Sequence, residues 1–113
     1  MAKILCFIYD NMADFELTLA THLMSAIGKE VVTIAYTKQQ VTSRPGVQYL
    51  PHVTVSEALA LEDVEGLIIP GGWNDEQRPE LTELIVRLYN SNKLLAAICA
   101  GPQYLARAGV LRS

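Results

Sequence analysis

Residues 3–36 decide the fold: Lys3-Ile4-Leu5-Cys6-Phe7-Ile8-Tyr9, a link through Asp10-Asn11-Met12, a helical stretch from Ala13 to Ile27, then Gly28 and the run Glu30-Val31-Val32-Thr33-Ile34-Ala35-Tyr36. Lys3 to Tyr9 has no polar alternate between Ile4 and Tyr9, so it suits a strand buried on both faces rather than one with a wet side. Gly28 stops the helix, and the β-branched run from Glu30 to Tyr36 reads as a second strand. The pattern is strand, helix, strand.

Working outward, Arg44, Pro45 and Gly46 form a turn signal, and the segment to Val55 reads as a short extended excursion in which Pro51 argues against a central strand. Ser56 is placed to cap a short helix through Leu61. Gly66 to Pro70 is a third apolar strand running into Gly71 and Gly72. Pro79 suits a first helical position, and Leu81, Leu84, Ile85 and Leu88 follow at the spacing of one helical face. Leu94 to Ile98 is a fourth strand, and Gly101 to Ala108 starts a further helix. Four near-continuous apolar strands separated by helices imply an α/β fold with a doubly wound parallel sheet and helices on both faces. Right-handed crossovers order it second, first, third, fourth, which leaves Leu94 to Ile98 as an apolar edge. Either a partner or further chain is expected to cover that edge.

The 113 residues fit one domain, 1–113, with no repeat, low-complexity segment or linker. Half are apolar and 19% charged, which excludes a disordered chain. Nine basic against twelve acidic residues give a net charge of −3 with no basic cluster, so no nucleic acid partner is expected. The longest apolar runs, Ile4 to Tyr9 and Leu94 to Ala100, are too short for a membrane span, and the N-terminal stretch, one Lys and six apolar residues before Asp10 and Asn11, does not read as a secretory signal. With only Cys6 and Cys99, the expected setting is a reducing cytoplasm. Two His and two Cys without ligand spacing support no metal site, and the glycine pairs match no phosphate or dinucleotide fingerprint, so no cofactor is expected.

The chemistry-bearing signal is Ala97-Ile98-Cys99-Ala100-Gly101-Pro102, where a buried strand turns into a helix. A nucleophile elbow needs small residues two before and two after its central residue, and Ala97 and Gly101 meet that need. The geometry lifts the Cys99 sulfur toward a helix N-terminus, which favours thiolate. The competing reading is an ordinary buried cysteine. Glu16 stands with Leu19, Ala20, Leu23 and Ile27 on one apolar stripe of the first helix, so it is expected to face the core and stay protonated through desolvation. The alternative is a helix-start acid whose tip reaches water. Pro70-Gly71-Gly72-Trp73 lets backbone approach a ligand, and the amides of Gly72 and Ala100 are candidate oxyanion donors. All three elements lie at the carboxyl ends of strands, where open α/β sheets bind ligands. His22 and His52 read as surface or structural residues.

In combination, Asp14-Phe15-Glu16, Ile69-Pro70-Gly71-Gly72 and the Cys99 elbow resemble the ThiJ/PfpI family of the class I glutamine amidotransferase-like superfamily. The resemblance runs from Lys3 to Leu111. It implies a flavodoxin-like fold, a homodimer, and Glu16 as the protonated acid bonded to the Cys99 thiolate. It also implies catalytic Cys99 and Glu16, with Gly71, Gly72 and Ala100 forming the oxyanion and substrate-binding element. The peptidase branch carries His after the nucleophile where this chain has Ala100, so the resemblance leans to the deglycase, glyoxalase and redox-stress branch. The family continues with more strands past the elbow helix. The chain is therefore expected to be the N-terminal part of a longer domain, lacking its C-terminal strands, with a C-terminal fragment of the same protein as a partner. Two functions follow: a cysteine-dependent hydrolase acting on a small-molecule carbonyl or amide substrate, and a non-enzymatic oxidative-stress sensor in which Cys99 is oxidised.

Overall fold

The structure, a computed structural model, describes residues 2–73 and 76–97. Five parallel strands form the main sheet. They are β1 (Lys3–Phe7), β2 (Glu30–Ala35), β5 (Val53–Thr54), β6 (Val64–Ile69) and β7 (Leu94–Ala97), in the spatial order β5-β2-β1-β6-β7. β3 (Val41–Thr42) and β4 (Gln48–Tyr49) make a separate antiparallel hairpin. The helices are α1 (Asp14–Ala26), α2 (Val55–Ala58) and α3 (Pro79–Asn90).

The four expected strands are present in the expected order. β1 pairs with β2 from Lys3 opposite Glu30 to Phe7 opposite Ile34, and with β6 from Ile4 opposite Gly66 to Cys6 opposite Ile68. Both neighbours are parallel, so β1 is central, and Leu5, Cys6 and Phe7 have no exposure. The chain moves one way from β1 to β2 and the other way from β2 to β6 and β7. Right-handed connections then put α1 on one face and α2 with α3 on the opposite one. Accordingly α1 packs on β1 and β2, whereas α3 packs on α2, β6 and β7 through Leu81, Leu84, Ile85 and Leu88. Pro79 starts α3 as expected, since its missing N–H is unneeded in a first turn.

Three expectations are corrected. The excursion after β2 contains the hairpin β3–β4 and a fifth strand, β5, which adds to the outer side of β2 through Ile34 opposite Val53. The cap of α2 is Thr54, not Ser56: Thr54 Oγ1 accepts from the Glu57 amide while Glu57 Oε1 accepts from the Thr54 amide, and the helix ends at Ala58. On α1, Leu19, Leu23 and Ile27 are 64%, 54% and 67% exposed, while Leu17 is buried and Ala20 and Met24 pack against the core. The helix is apolar on two sides, and its rotation is set at its start, where the Ala13 amide donates to the Gly71 carbonyl at 2.7 Å. Glu16 therefore lies half-buried at the seam between the two stripes rather than on the core-facing one.

Candidate functional site

The carboxyl ends of β1 and β6 are adjacent, and the loops leaving them are sewn together. Met12 stands opposite Gly72 in an antiparallel bridge, flanked by the Ala13 to Gly71 bond and by the Trp73 amide donating to the Asn11 carbonyl at 3.1 Å. Asn11 takes φ +66°, a left-handed conformation that Asn tolerates better than most residues. Gly72 is required by the closeness of this crossing: a Cβ there would stand 2.7 Å from Tyr9 Oη, 2.8 Å from the Asn11 carbonyl oxygen and 2.8 Å from Met12 Cα. Two of those three atoms are backbone and cannot swing aside.

Glu16 reaches this crossing from the first turn of α1. Its Oε1 accepts a 3.3 Å bond from the Gly71 amide, across 55 residues of sequence. The Tyr9 hydroxyl donates to the Pro70 carbonyl at 2.7 Å, and its phenol is pushed above the ordinary range first by burial and then by the negative charge of Glu16. Of the two glycine amides, that of Gly71 is directed at Glu16, and that of Gly72 meets no acceptor among the described residues. The structure thus brings Glu16, Gly71 and Gly72 together. Cys99, Ala100, Gly101 and Pro102 lie outside the described residues. β7 runs beside β6 up to Ala97 opposite Ile69, so the strand that precedes Cys99 in sequence ends level with the one that feeds Gly71.

The sequence reading missed the hairpin that roofs this region. The Asn11 amide donates to the Thr42 carbonyl at 2.8 Å, the Thr42 amide to Asp10 Oδ1 at 2.9 Å, and the Arg44 amide to the Met12 carbonyl at 2.9 Å. Arg44 then places its guanidinium 4.9 Å from the centre of the Trp73 ring. The available signal was the Arg44-Pro45-Gly46 turn between two short β-prone pairs, Val41-Thr42 and Gln48-Tyr49. On the other side of Tyr9, a cavity of about 200 Å³ opens over the ends of β1 and β2, lined among others by Asp10, Tyr36, Gln40 and Arg78. It does not include Glu16 or Gly71. Its wall is stiffened by Arg78, which pairs with Glu76 at 2.7 Å and stacks 4.7 Å over Tyr36.

The remaining polar candidates lie away from this crossing. His52 Nδ1 accepts from the Thr33 amide at 2.9 Å, and the His52 amide donates to Thr33 at 3.0 Å, pinning the entry of β5 to β2. His22 is exposed on α1. Cys6 is enclosed in β1, and burial pushes its thiol up to about 12. Among the described residues, no group of three or more His, Cys, Asp or Glu side chains is arranged to hold a metal ion, and no helix is long and apolar enough to cross a membrane.

Comparison with known proteins agrees with this fold. The sequence profile of the DJ-1/PfpI family matches residues 2–113. A deglycase of Pyrococcus abyssi is 30% identical over 118 residues, covering 97% of this chain and 68% of its own length. A DJ-1 superfamily protein from Agrobacterium tumefaciens superposes with a TM-score of 0.80 at 30% identity, covering 97% of this chain and 60% of that one. Toxoplasma gondii DJ-1, in oxidized form, superposes with a TM-score of 0.87 at 25% identity, covering 98% and 63%. The chain thus spans about two thirds of the deglycase and somewhat less of the two solved chains.

Proposed function

The chain belongs to the DJ-1/PfpI family, and from that premise we propose that it is the nucleophile-bearing part of a cysteine-dependent hydrolase acting on small carbonyl or amide compounds. The observation that carries this reading is the convergence of Glu16, Gly71 and Gly72 at the carboxyl ends of adjacent parallel strands, with the Gly72 amide meeting no acceptor among the described residues. The deglycase name of the Pyrococcus relative supports the substrate class.

In this mechanism the Cys99 thiolate adds to the substrate carbonyl carbon, and the carbonyl electron pair moves onto oxygen. The amides of Gly72 and Ala100 hold the resulting oxyanion, while Gly71 serves to fix Glu16. Glu16 takes up the proton of the Cys99 thiol as the thiolate forms and passes it to the departing group. For an amide, the C–N bond breaks, the amine leaves with that proton, and water hydrolyses the thioester. Ala100 in place of His argues against a peptidase. Residues 1–113 are read as the N-terminal part of one domain, with the rest of the fold supplied by further chain or a C-terminal fragment. The exposed stripe of Phe15, Leu19, Leu23 and Ile27 on α1 supports a homodimer, and the two-cysteine composition supports a cytoplasmic setting.

The test is intact-mass spectrometry of the full protein during iodoacetamide alkylation across pH, for wild type and Glu16→Gln, together with turnover of methylglyoxal by Cys99→Ala. Fast single-site labelling below the ordinary thiol pKa, slowed or shifted by Glu16→Gln, and loss of turnover in Cys99→Ala are expected. Turnover that survives Cys99→Ala overturns the mechanism. The second reading is a redox sensor in which Cys99 passes to a sulfinate, favoured by the oxidized form of the Toxoplasma relative. Under peroxide, peptide mass spectrometry is then expected to find Cys99 oxidised well before Cys6, and equal oxidation rejects this reading.

A further inference from the structure

The cavity over the ends of β1 and β2 takes no part in the mechanism above, and its walls are fixed by hydrogen bonds from several segments. At its base the pairing of β1 with β2 runs on past Phe7, where the Ile8 amide donates to the Ile34 carbonyl at 2.9 Å. One wall is the segment leading into α3. The Tyr36 hydroxyl clamps it twice, donating to the Glu76 carbonyl at 2.9 Å and accepting from the Arg78 amide at 3.0 Å. Another wall is the link from β2 to β3, in which Thr37 Oγ1 accepts from the Gln39 amide at 3.3 Å. That link is anchored where the Thr42 amide donates to Asp10 Oδ1 at 2.9 Å.

The lining residues keep polar groups that this frame does not use. Asp10 Oδ2 and the side-chain amides of Gln39 and Gln40 have no hydrogen-bond partner among the described residues. Glu76 and Arg78 compensate each other's charge at 2.7 Å, and the Arg78 guanidinium keeps N–H groups beyond the Nε that Glu76 takes. Sites for drug-sized ligands measure about 300–1,000 Å³, so a cavity of about 200 Å³ suits a smaller molecule.

The mixture of donors and acceptors selects the ligand. A carboxamide both donates and accepts, a guanidinium only donates, and a carboxylate only accepts. An anion is repelled by Asp10, whose charge no cation among the lining residues offsets. An ammonium satisfies Asp10 but has nothing to accept the N–H groups of Gln39, Gln40 and Arg78. A hydroxyl donates and accepts, so adjacent hydroxyls on one small molecule answer the whole set. We propose that this cavity is a binding site for a small neutral polyol, a sugar-sized molecule with vicinal hydroxyls, held by Asp10, Gln39, Gln40 and Arg78. The site makes no use of Cys99 and stands or falls separately from the hydrolase mechanism.

The test is amide NMR of the full protein titrated with myo-inositol, a neutral polyol with no carbonyl for a cysteine to attack, and in parallel with glucosamine and gluconate as cationic and anionic counterparts. Myo-inositol is expected to give saturable shifts at the Thr37, Gln40 and Arg78 amides, with weaker binding by both charged molecules. Each lost hydrogen bond costs about tenfold or somewhat less, so Asp10→Asn and Gln40→Met are each expected to weaken binding by about three- to tenfold. Asparagine keeps an oxygen for the Thr42 amide, and the Gln40 side chain bonds nothing in the fold, so both variants are expected to melt with the wild type. Absence of shifts at these amides up to about 100 mM myo-inositol overturns the proposal. So does binding that both variants leave unchanged, or tighter binding of glucosamine, which marks an amine site instead.

Discussion

The Tyr49 hydroxyl donates a 2.6 Å hydrogen bond to Oδ2 of Asp14, fastening the hairpin β3–β4 to the first turn of α1. Asp14 is 8% exposed, so the bond satisfies a carboxylate that water barely reaches. Tyr49→Phe leaves that oxygen without this partner, and a loss of about 1–3 kcal/mol is expected in urea denaturation. Hydrogen exchange at the Asn11 and Thr42 amides is expected to quicken, because both are bonded within the strap that Tyr49 holds down.

Gly72→Ala is expected to be far more damaging than its added methyl suggests. The new Cβ meets backbone at 2.8 Å on two sides, so the β1 and β6 loops must part, at about 1–3 kcal/mol or more. Gly66→Ala is a useful control: its Cβ meets Leu94 Cβ and the Leu94 carbonyl oxygen at 3.0 Å, which displaces β7 rather than the site. Thermal melts combined with iodoacetamide rates at Cys99 distinguish the two.

Cys6 is expected to be silent toward iodoacetamide at pH 8 in the native protein, because burial holds its thiol near 12. The same shift makes a pH prediction. From about pH 9, where an unfolded thiol ionises, up to about 12, the folded chain keeps a proton that the unfolded chain gives up. Its contribution is complete below pH 9 and is lost as pH rises through this window, by about 1.4 kcal/mol per pH unit. Cys6→Val is expected to flatten the fall between pH 9 and 10, measured by denaturant melts, before the tyrosines join in. An unchanged slope rejects the assignment to Cys6.

The exposed stripe on α1 makes an oligomerisation prediction. Leu19→Lys with Leu23→Lys replaces side chains that are 64% and 54% exposed, so the monomer fold is expected to lose less than about 0.5 kcal/mol. If the stripe is a subunit interface, sedimentation velocity of the full protein shifts from dimer to monomer. A dimer that persists places the interface elsewhere.

The parallel sheet was legible because the strands that carry it, Ile4 to Tyr9 and Gly66 to Pro70, are apolar on both sides, and a strand with no wet face belongs inside a doubly covered sheet. The same layout delivers the loops of adjacent parallel strands to one edge, where the Gly71 amide donates to Glu16 Oε1. The facing of α1 was not legible. Leu19, Leu23 and Ile27 form as good a stripe as Leu17, Ala20 and Met24, and long-range bonds at the start of the helix, that between Ala13 and Gly71 among them, decide between them. The roof of Thr42, Arg44 and Tyr49 escaped because strands of two residues carry too little periodicity to read, and Thr54 was passed over for Ser56 although Glu57 three residues on marks the reciprocal cap.

The central pairing of β1 with β6 also dictates an order of assembly. β1, α1 and β2 close within the first 35 residues, a short loop to search, whereas the Glu16 to Gly71 bond must wait for a strand that begins at Val64. The groups of the site therefore come together only after the longer loop has closed, so a nascent or partly unfolded chain carries the framework before it carries the chemistry.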